Sequence, residues 1–304
     1  MIINFGSLNI DYVHAVTNFV KPGETILCND YNIYAGGKGL NQSVAAGRAG
    51  GCVYHAGMVG EEGHFLLDIL NSAGVNTTLV KTVNARNGHT FIQVEESGQN
   101  CIVLYGGANH MLDVDYTKLV AEILSKDDIV LFQNETSAIS EMMQLAAAKE
   151  CIIAFNPAPM DDRVRTLPLE LVDIFILNEI EGEGMTGRSE SAEILDSLTL
   201  RFPKAKILLT LGKAGMRFAY GEKRLEEGIF DYDALIDTTA AGDTFTGYYL
   251  AAVSQGMDDS EAIKRATVAS GICVTRAGAA QSIPSVSEVE AALNSNNFKL
   301  LLNQ

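Results

Sequence analysis

Seven residues, Asp237-Thr-Thr-Ala-Ala-Gly-Asp243, form the stretch of this chain best suited to chemistry on a phosphate. They lead through Thr244-Phe-Thr-Gly247 into a mostly apolar run reaching Val253, which reads as a helix. At its start the backbone N–H groups of Ala240, Ala241 and Gly242 have no intrahelical acceptor, and the helix dipole adds positive potential. Such a turn is a ready site for an anion, phosphate above all. Asp243 stands in the middle of it, where a carboxylate would repel the phosphate. The plain reading is a first-turn acid that stabilises the helix; the functional one is a base beside a reacting group. The small flanking residues and the second acid, Asp237, favour the base.

Three other polar groupings have chemical spacing. Asn9 and Asp11 follow a short strand, Ile2 to Phe5, and on extended chain they point the same way and can hold one polyhydroxyl face. An Asx-turn that only caps local backbone would use the same residues. Ala35-Gly-Gly-Lys-Gly-Leu-Asn41 runs into a helix, Gln42 to Ala49, that Gly50-Gly51 stops. Adjacent glycines let backbone approach a ligand, and Asn41 offers both a donor and an acceptor, although strand-to-helix packing also uses such glycines. The spacing is not that of a P-loop. Asn178 and Glu181 lie three apart at a strand-to-helix junction. They fit an N-terminal capping box, and the Glu can at the same time hold Mg²⁺ through water. Gly182 and Gly184 weaken the following helix by about 1 kcal/mol each, for no reason visible in the sequence.

The elements that must position these groups follow from periodicity. Ile129 to Phe132, Cys151 to Phe155, Ile174 to Leu177 and Lys206 to Leu211 are short apolar runs separated by helical stretches near 138–149 and 189–201. That alternation predicts a parallel sheet with helical crossovers, and ligands gather beyond the carboxyl ends of such strands. Those ends carry Gln133-Asn134-Glu135, Asn156-Pro157, Asn178 to Glu181 and Gly212. Thr210-Leu-Gly212 precedes a hairpin to Met216–Tyr220; a helix is expected over 259–273, and the loop 275–282 after it can turn its carbonyls toward Asp237. Two stretches interrupt the pattern. Residues 25–34 read as two strands around Asn29-Asp30, and Thr90 to Val94 with Asn100 to Tyr105 as a pair around Ser97-Gly98. Together they predict a small β-sheet lid, from about 11–35 and 88–107, on a single domain spanning 1–304. Pairing with a second copy would bury its apolar face.

The 304 residues carry a net charge of −16, which opposes binding to nucleic acid or an anionic membrane surface. No apolar run approaches the ~20 residues that cross a bilayer, and the first residues read as a strand rather than a signal peptide. The five cysteines are dispersed singly and are expected to be buried thiols in a reducing cytoplasm. The five histidines form no ligand-spaced pair. A nicotinamide-binding fold lacks its glycine fingerprint after the first strand.

Together, Gly-Gly-Lys-Gly-x-Asn at 36–41, Asn-x-x-Glu at 178–181 and Asp-Thr-x-Ala-Ala-Gly-Asp at 237–243 resemble the ribokinase family of carbohydrate kinases, also called PfkB-type. The resemblance covers nearly the whole chain. Asn9-x-Asp11, Gln133-x-Glu135 and Asn156-Pro-Ala-Pro159 look closer to its ribose branch than to its fructose-phosphate or adenosine branches. It implies an α/β fold, ribokinase-like, with a doubly wound, mainly parallel sheet flanked by helices under a β lid. The implied reaction is phosphoryl transfer from ATP, with Mg²⁺, to a sugar hydroxyl, most readily D-ribose to ribose 5-phosphate; the alternatives are deoxyribose, another pentose or hexose, or a nucleoside. A sugar-binding regulator without catalysis is the remote alternative, and the intact Asp243 speaks against it.

By the same resemblance Asp243 is the base and the N–H groups of Ala240 to Asp243 the anion hole. Asn9, Asp11, Gly37, Lys38, Asn41 and Glu135 match the sugar-holding positions. Asn178 and Glu181 organise phosphates and Mg²⁺, and Thr210 and Gly212 border the nucleotide. Asp237, the Thr239 carbonyl and oxygens near Cys273, Arg276, Gly278 and Ser282 match the place of an activating K⁺. Leu40 and Tyr248 stand where the family usually has small residues, so each is expected to reshape its pocket.

Overall fold

The computed structural model describes residues 1–232 and 234–295 with the backbone of Leu300 and Leu301. The apolar runs form the strands of one eight-stranded sheet. In chain order these are β1 (Ile2–Phe5), β4 (Val53–Ala56), β9 (Ile129–Gln133), β10 (Ile152–Asn156), β11 (Ile174–Asn178), β12 (Lys206–Thr210), β13 (Met216–Tyr220) and β14 (Lys223–Glu227). The spatial order is β14-β13-β12-β11-β10-β9-β1-β4. The six strands from β4 to β12 are parallel, and only the hairpin strands β13 and β14 run antiparallel. β9 and the inner residues of β10 to β12 are buried on both faces, which is why they read as continuous apolar runs.

Helices cover each face, and alternate strand residues separate into two cores. One core joins Leu131, Ile176 and Leu208 to α1 (Lys38–Arg48), α2 (His64–Ser72), α7 (Ala241–Ser254), α8 (Asp259–Cys273) and α9 (Val286–Leu293). The other joins Phe132, Phe155 and Phe175 to α3 (Val114–Ala121), α4 (Ile139–Ala148), α5 (Glu179–Thr186) and α6 (Ser191–Arg201). A Cβ on Gly247 of α7 would lie 2.4 Å from Ala45 Cβ and 2.6 Å from the Ala46 nitrogen. Glycine therefore lets α1 and α7 touch backbone to backbone, and this brings Asn41 and Gln42 up to Asp243.

The lid is a separate four-stranded sheet of β2 (Asn9–Val16), β3 (Asp30–Gly36), β7 (Gly88–Glu95) and β8 (Asn100–Tyr105), ordered β3-β2-β7-β8. A two-stranded pair, β5 (Met58–Val59) and β6 (Lys81–Thr82), stands apart from both sheets. The second lid hairpin forms where its pattern predicts. The first does not: Thr25 to Cys28 is not a strand, Leu27 is 90% exposed, and β3 pairs with β2 across the long connection 17–29. The Asn29-Asp30 turn signal marks only the entry to β3. The cysteines also depart from expectation, since Cys151 and Cys273 are buried but Cys28 is half-buried and Cys52 and Cys101 are exposed. Among the described residues no helix is long and apolar enough to cross a membrane.

Candidate active site

Asp243 occupies the third position of α7, 8% exposed, and both its oxygens are held. Asn41 Nδ2 donates to Oδ2 at 3.0 Å and Gln42 Nε2 to Oδ1 at 2.9 Å. The helix enters through Ala240 in a left-handed conformation (φ 60°), an unfavourable one for alanine that this tight turn imposes. Ala241 N–H closes the turn on the Thr238 carbonyl at 3.2 Å, so it is not among the free donors that the sequence suggests. The N–H groups of Ala240, Gly242 and Asp243 have no backbone acceptor among the described residues. A Cβ built on Gly242 meets nothing within 4 Å, so the turn opens on space. That space is a polar cleft of about 190 Å³ lined by Lys38, Asn156, Asn178, Glu181 and the 240–243 turn.

Asp237 holds this turn from behind. Its Oδ1 accepts from Thr239 N–H at 2.8 Å and Thr239 Oγ1 at 2.6 Å, and its Oδ2 from Gly278 N–H at 2.9 Å. Burial alone would raise this carboxyl, but the bonds from Thr239 and Gly278 outweigh it and hold it below the usual carboxylate range. The loop 275–282 thus approaches Asp237, but through the Gly278 N–H rather than a carbonyl. Buried Cys273 and Ser282 lie in contact, Sγ to Oγ 3.1 Å, and Cys273 Sγ lies 3.7 Å from the Thr239 carbonyl. The Arg276 side chain turns away to pair with Glu288.

Lys38 opens α1, half-buried, its charge facing three acids. Burial would lower its ammonium, but Asp243, Glu135 and Glu181 together hold it above the usual lysine range. Glu135 accepts Lys38 N–H at 3.0 Å and the Ser7 hydroxyl, while Ser7 Oγ accepts Gly39 N–H at 3.1 Å. Burial pushes the Glu135 carboxyl up, against the opposing pull of Lys38 and Ser7. The two glycines before Lys38 have distinct reasons. A Cβ on Gly36 would lie 1.8 Å from Asp11 Oδ2, and Gly37 takes φ 91° beside Asn9 and Ser7.

Asn9 and Asp11 share one face of β2, as their spacing requires. Asn9 Oδ1 accepts from Asn109 Nδ2 at 2.7 Å, and Asp11 Oδ1 accepts the Thr90 hydroxyl at 2.6 Å from the adjacent β7. Burial raises the Asp11 carboxyl, with Thr90 opposing. Asn41 Oδ1 is buried and has no partner, an acceptor beside the cleft that a hydroxyl can satisfy.

Asn178 and Glu181 form a complete capping box. Glu181 is 7% exposed and also accepts from Asn156 Nδ2 at 3.3 Å; burial raises its carboxyl above the usual range. The paired glycines now have a reason. A Cβ on Gly182 would lie 2.6 Å from Ile194 Cγ2 and one on Gly184 2.5 Å from Met160 Cγ, so α5 packs too tightly for side chains there. Among the described residues no three His, Cys, Asp or Glu are grouped to hold a metal.

Thr210 and Gly212 border a second cavity of about 210 Å³, lined by Phe230, Leu235, Phe245 and Val274 among others. It shares Thr210, Thr238, Ala241 and Gly242 with the polar cleft. An apolar chamber thus opens onto a polar cleft floored by the N–H groups of the 240–243 turn. Leu40 and Tyr248 do not line either cavity. Leu40 is fully buried in the core, and Tyr248 is buried with its hydroxyl donating to the Pro284 carbonyl at 2.8 Å. Both side chains thus face packed protein and touch neither cavity directly. Ser7, Gln42 and Thr90 carry little local signal of a role, because their partners are remote in the chain; only Gln42 stands out, as a polar residue within a run of small helical ones.

Comparison with known proteins gives a consistent result. The model of the pfkB family carbohydrate kinases matches residues 1–286. The chain is 36% identical over 293 residues to ribokinase from Haemophilus influenzae, covering 93% of this chain and 95% of that one. It is 32% identical over 302 residues to ribokinase from Staphylococcus aureus, covering 95% and 98%. Among solved structures it is similar to Thermotoga maritima ribokinase, TM-score 0.86 at 31% identity over 97% of this chain and 99% of that one. Arabidopsis thaliana ribokinase complexed with ribose and ATP gives TM-score 0.84 at 27% identity, with 97% and 99% covered.

Proposed function

The chain belongs to the pfkB family of carbohydrate kinases, and from that premise we propose that it transfers the γ-phosphate of ATP to D-ribose, forming ribose 5-phosphate. The observation that carries the reading is Asp243, held by two amides over free N–H groups where an apolar and a polar cavity meet. The base and phosphates of ATP suit the two cavities in turn. The sugar takes the neighbouring side of Lys38 and Asp243, where Asn9, Asp11, Gly37, Asn41 and Glu135 stand; of these groups Lys38 and Asp243 alone also line the polar cleft, and the acceptors among them match hydroxyl donors. Asp243 receives the proton of the attacking hydroxyl, and the N–H groups of Ala240, Gly242 and Asp243 stabilise charge on the transferred phosphoryl group. Such transfer depends on alignment and charge more than on a strong base.

Glu181, a carboxylate lining the polar cleft, is the residue that would hold Mg²⁺ through water, and the ion would supply charge neutralisation for the phosphates. Asp237, the Thr239 carbonyl and carbonyls near Cys273, Arg276, Gly278 and Ser282 are the groups that would hold a large monovalent cation such as K⁺, which would brace the turn that Asp237 now holds through the Thr239 and Gly278 N–H groups. We assign the enzyme to the cytoplasm, as a single domain. The outer lid face stacks Tyr12, Tyr31, Phe91 and His89, with Tyr12 and Phe91 ring centroids 5.4 Å apart, and leaves Ile33 and Phe91 each 51% exposed. A second copy burying this face in a homodimer explains that surface. Light scattering at micromolar concentration should give twice the chain mass; a monomer mass would remove the dimer.

The test of function is ADP release from ATP and Mg²⁺ across pentoses, hexoses and nucleosides, in K⁺ and again in tetramethylammonium. Ribose should exceed its 2-deoxy analogue by at least ~10-fold in kcat/KM, because the lost hydroxyl leaves a site acceptor unpaired. Selectivity for another acceptor overturns the ribose assignment, and equal turnover in the two cations overturns the K⁺ site.

A further inference from the structure

We propose that Gln42 is a positioning residue for Asp243, holding the carboxylate in its reactive orientation through a bond whose direction a buried row of polar side chains enforces. Four neighbouring strands each contribute one member beneath α1: His55 on β4, Asn4 on β1, Gln133 on β9 and Asn156 on β10. His55, Asn4 and Gln42 are 0% exposed, and Gln133 1%. Polar groups so placed must pair with one another, and the pairing here runs one way.

Asn4 fixes the start, because its Nδ2 donates to the Gly39 carbonyl at 2.7 Å, an atom that can only accept. The same Nδ2 lies 2.9 Å from Ser43 Oγ, which bonds His55 Nδ1 at 2.8 Å. His55 Nε2 lies 3.2 Å from the Gly6 carbonyl, so its proton sits there and Nδ1 accepts. Burial holds this imidazole down to about 4, neutral at physiological pH. Asn4 Oδ1 then faces Gln133 Nε2 at 2.9 Å, and that nitrogen also donates to Gln42 Oε1 at 2.7 Å. With its oxygen occupied, Gln42 turns Nε2 to Asp243 Oδ1 at 2.9 Å and to Asn156 Oδ1 at 3.1 Å. Asn156 passes the order on through Nδ2 to Glu181. A reversed Gln42 amide would set oxygen against carboxylate at one end and nitrogen against nitrogen at the other. Gln133 Oε1 is left buried without a partner, a cost that this single direction accepts.

The inference rests on Asp243 being the base. Its test compares Gln42→Met and Gln42→Glu with wild type and with Asp243→Asn, reading kcat and KM for ribose and ATP, ribose binding by calorimetry, and melting temperature. Gln42→Met keeps the volume and removes the donor. It should lose about 10- to 100-fold in kcat while both KM values and ribose binding stay within about threefold, as expected for misalignment at the reacting atom. In Gln42→Glu the introduced carboxyl faces Asp243 on α7, with Lys38 on α1 and Glu181 on α5 nearby. It donates to Oδ1 only when protonated, so kcat relative to wild type should rise as pH falls from about 8 to about 6. The same ratio for Gln42→Met should not change.

Turnover of Gln42→Met within twofold of wild type, or a loss confined to KM and matched by weaker ribose binding, overturns the proposal. Should Gln42→Glu fail to fold, the kcat against KM split of Gln42→Met decides alone. Normal Gln42→Met beside an inactive Asp243→Asn removes this inference only; an active Asp243→Asn removes the base assignment beneath it.

Discussion

Asp243→Asn should lower turnover by at least ~10²-fold while ribose binding stays within several-fold of wild type. The substitution keeps the shape of the side chain and removes its ability to take a proton. It also places an amide N–H₂ against one of two donors, Asn41 Nδ2 or Gln42 Nε2, so one of the present bonds is lost. In the proposed reading sugar affinity depends mainly on Asn9, Asp11, Lys38 and Glu135, which make no hydrogen bond to Asp243, and only in part on Asn41, which does. Steady-state ADP release together with calorimetric ribose titration separates the two effects. Near-normal turnover would falsify the role given to Asp243.

Lys38→Met should reduce kcat/KM for both substrates by roughly 10²- to 10³-fold, the range seen when an electrostatic donor is removed from a water-poor site. Three carboxylates, Glu135, Glu181 and Asp243, face this one ammonium. Without it they repel one another and the incoming phosphates, and the Glu135 and Glu181 carboxyls, already raised by burial, rise further. Stability carries a sign that can be checked. The folded Lys38 ammonium sits above its ordinary range, so its contribution is fully present below that range and is lost as pH climbs through the folded value. Denaturant melts of wild type and variant should therefore differ by a constant amount through neutral pH, and converge only in alkali. A difference that vanishes already at neutral pH, with kcat/KM near wild type, would show that Lys38 is not coupled to the three acids.

Most of the architecture was legible from local pattern. Parallel strands buried on both faces leave a plain apolar signature, and β9 to β12 fall within a residue or two of their runs. The helix starts at Asn178 and after Ala240, and the end of α8 at Cys273, follow from capping and periodicity that act over one turn. The pairing of Asn9 with Asp11 on one face needed only the two-residue repeat of a strand.

What the sequence could not determine depends on partners far along the chain. The strand β3 pairs with β2 across residues 17–29, a partner beyond the reach of the local turn signal at Asn29-Asp30. Gly182 and Gly184 have their reason in Ile194 and Met160, which pack against them from outside the local sequence. Leu40 is adjacent in sequence to Asn41, yet helix geometry rotates a neighbour by about 100°, enough to send its side chain into the core; Tyr248, a little over one turn beyond Asp243 on α7, is buried as well. The sequence by itself determined the chemistry available, through the types and spacing of Asp243, Lys38, Asn178 and Glu181. Only the tertiary structure decided how those groups are held, because the bonds from Gln42, Asn41 and Ser7 span 201, 202 and 128 residues and exist only once the sheet and its helices have packed.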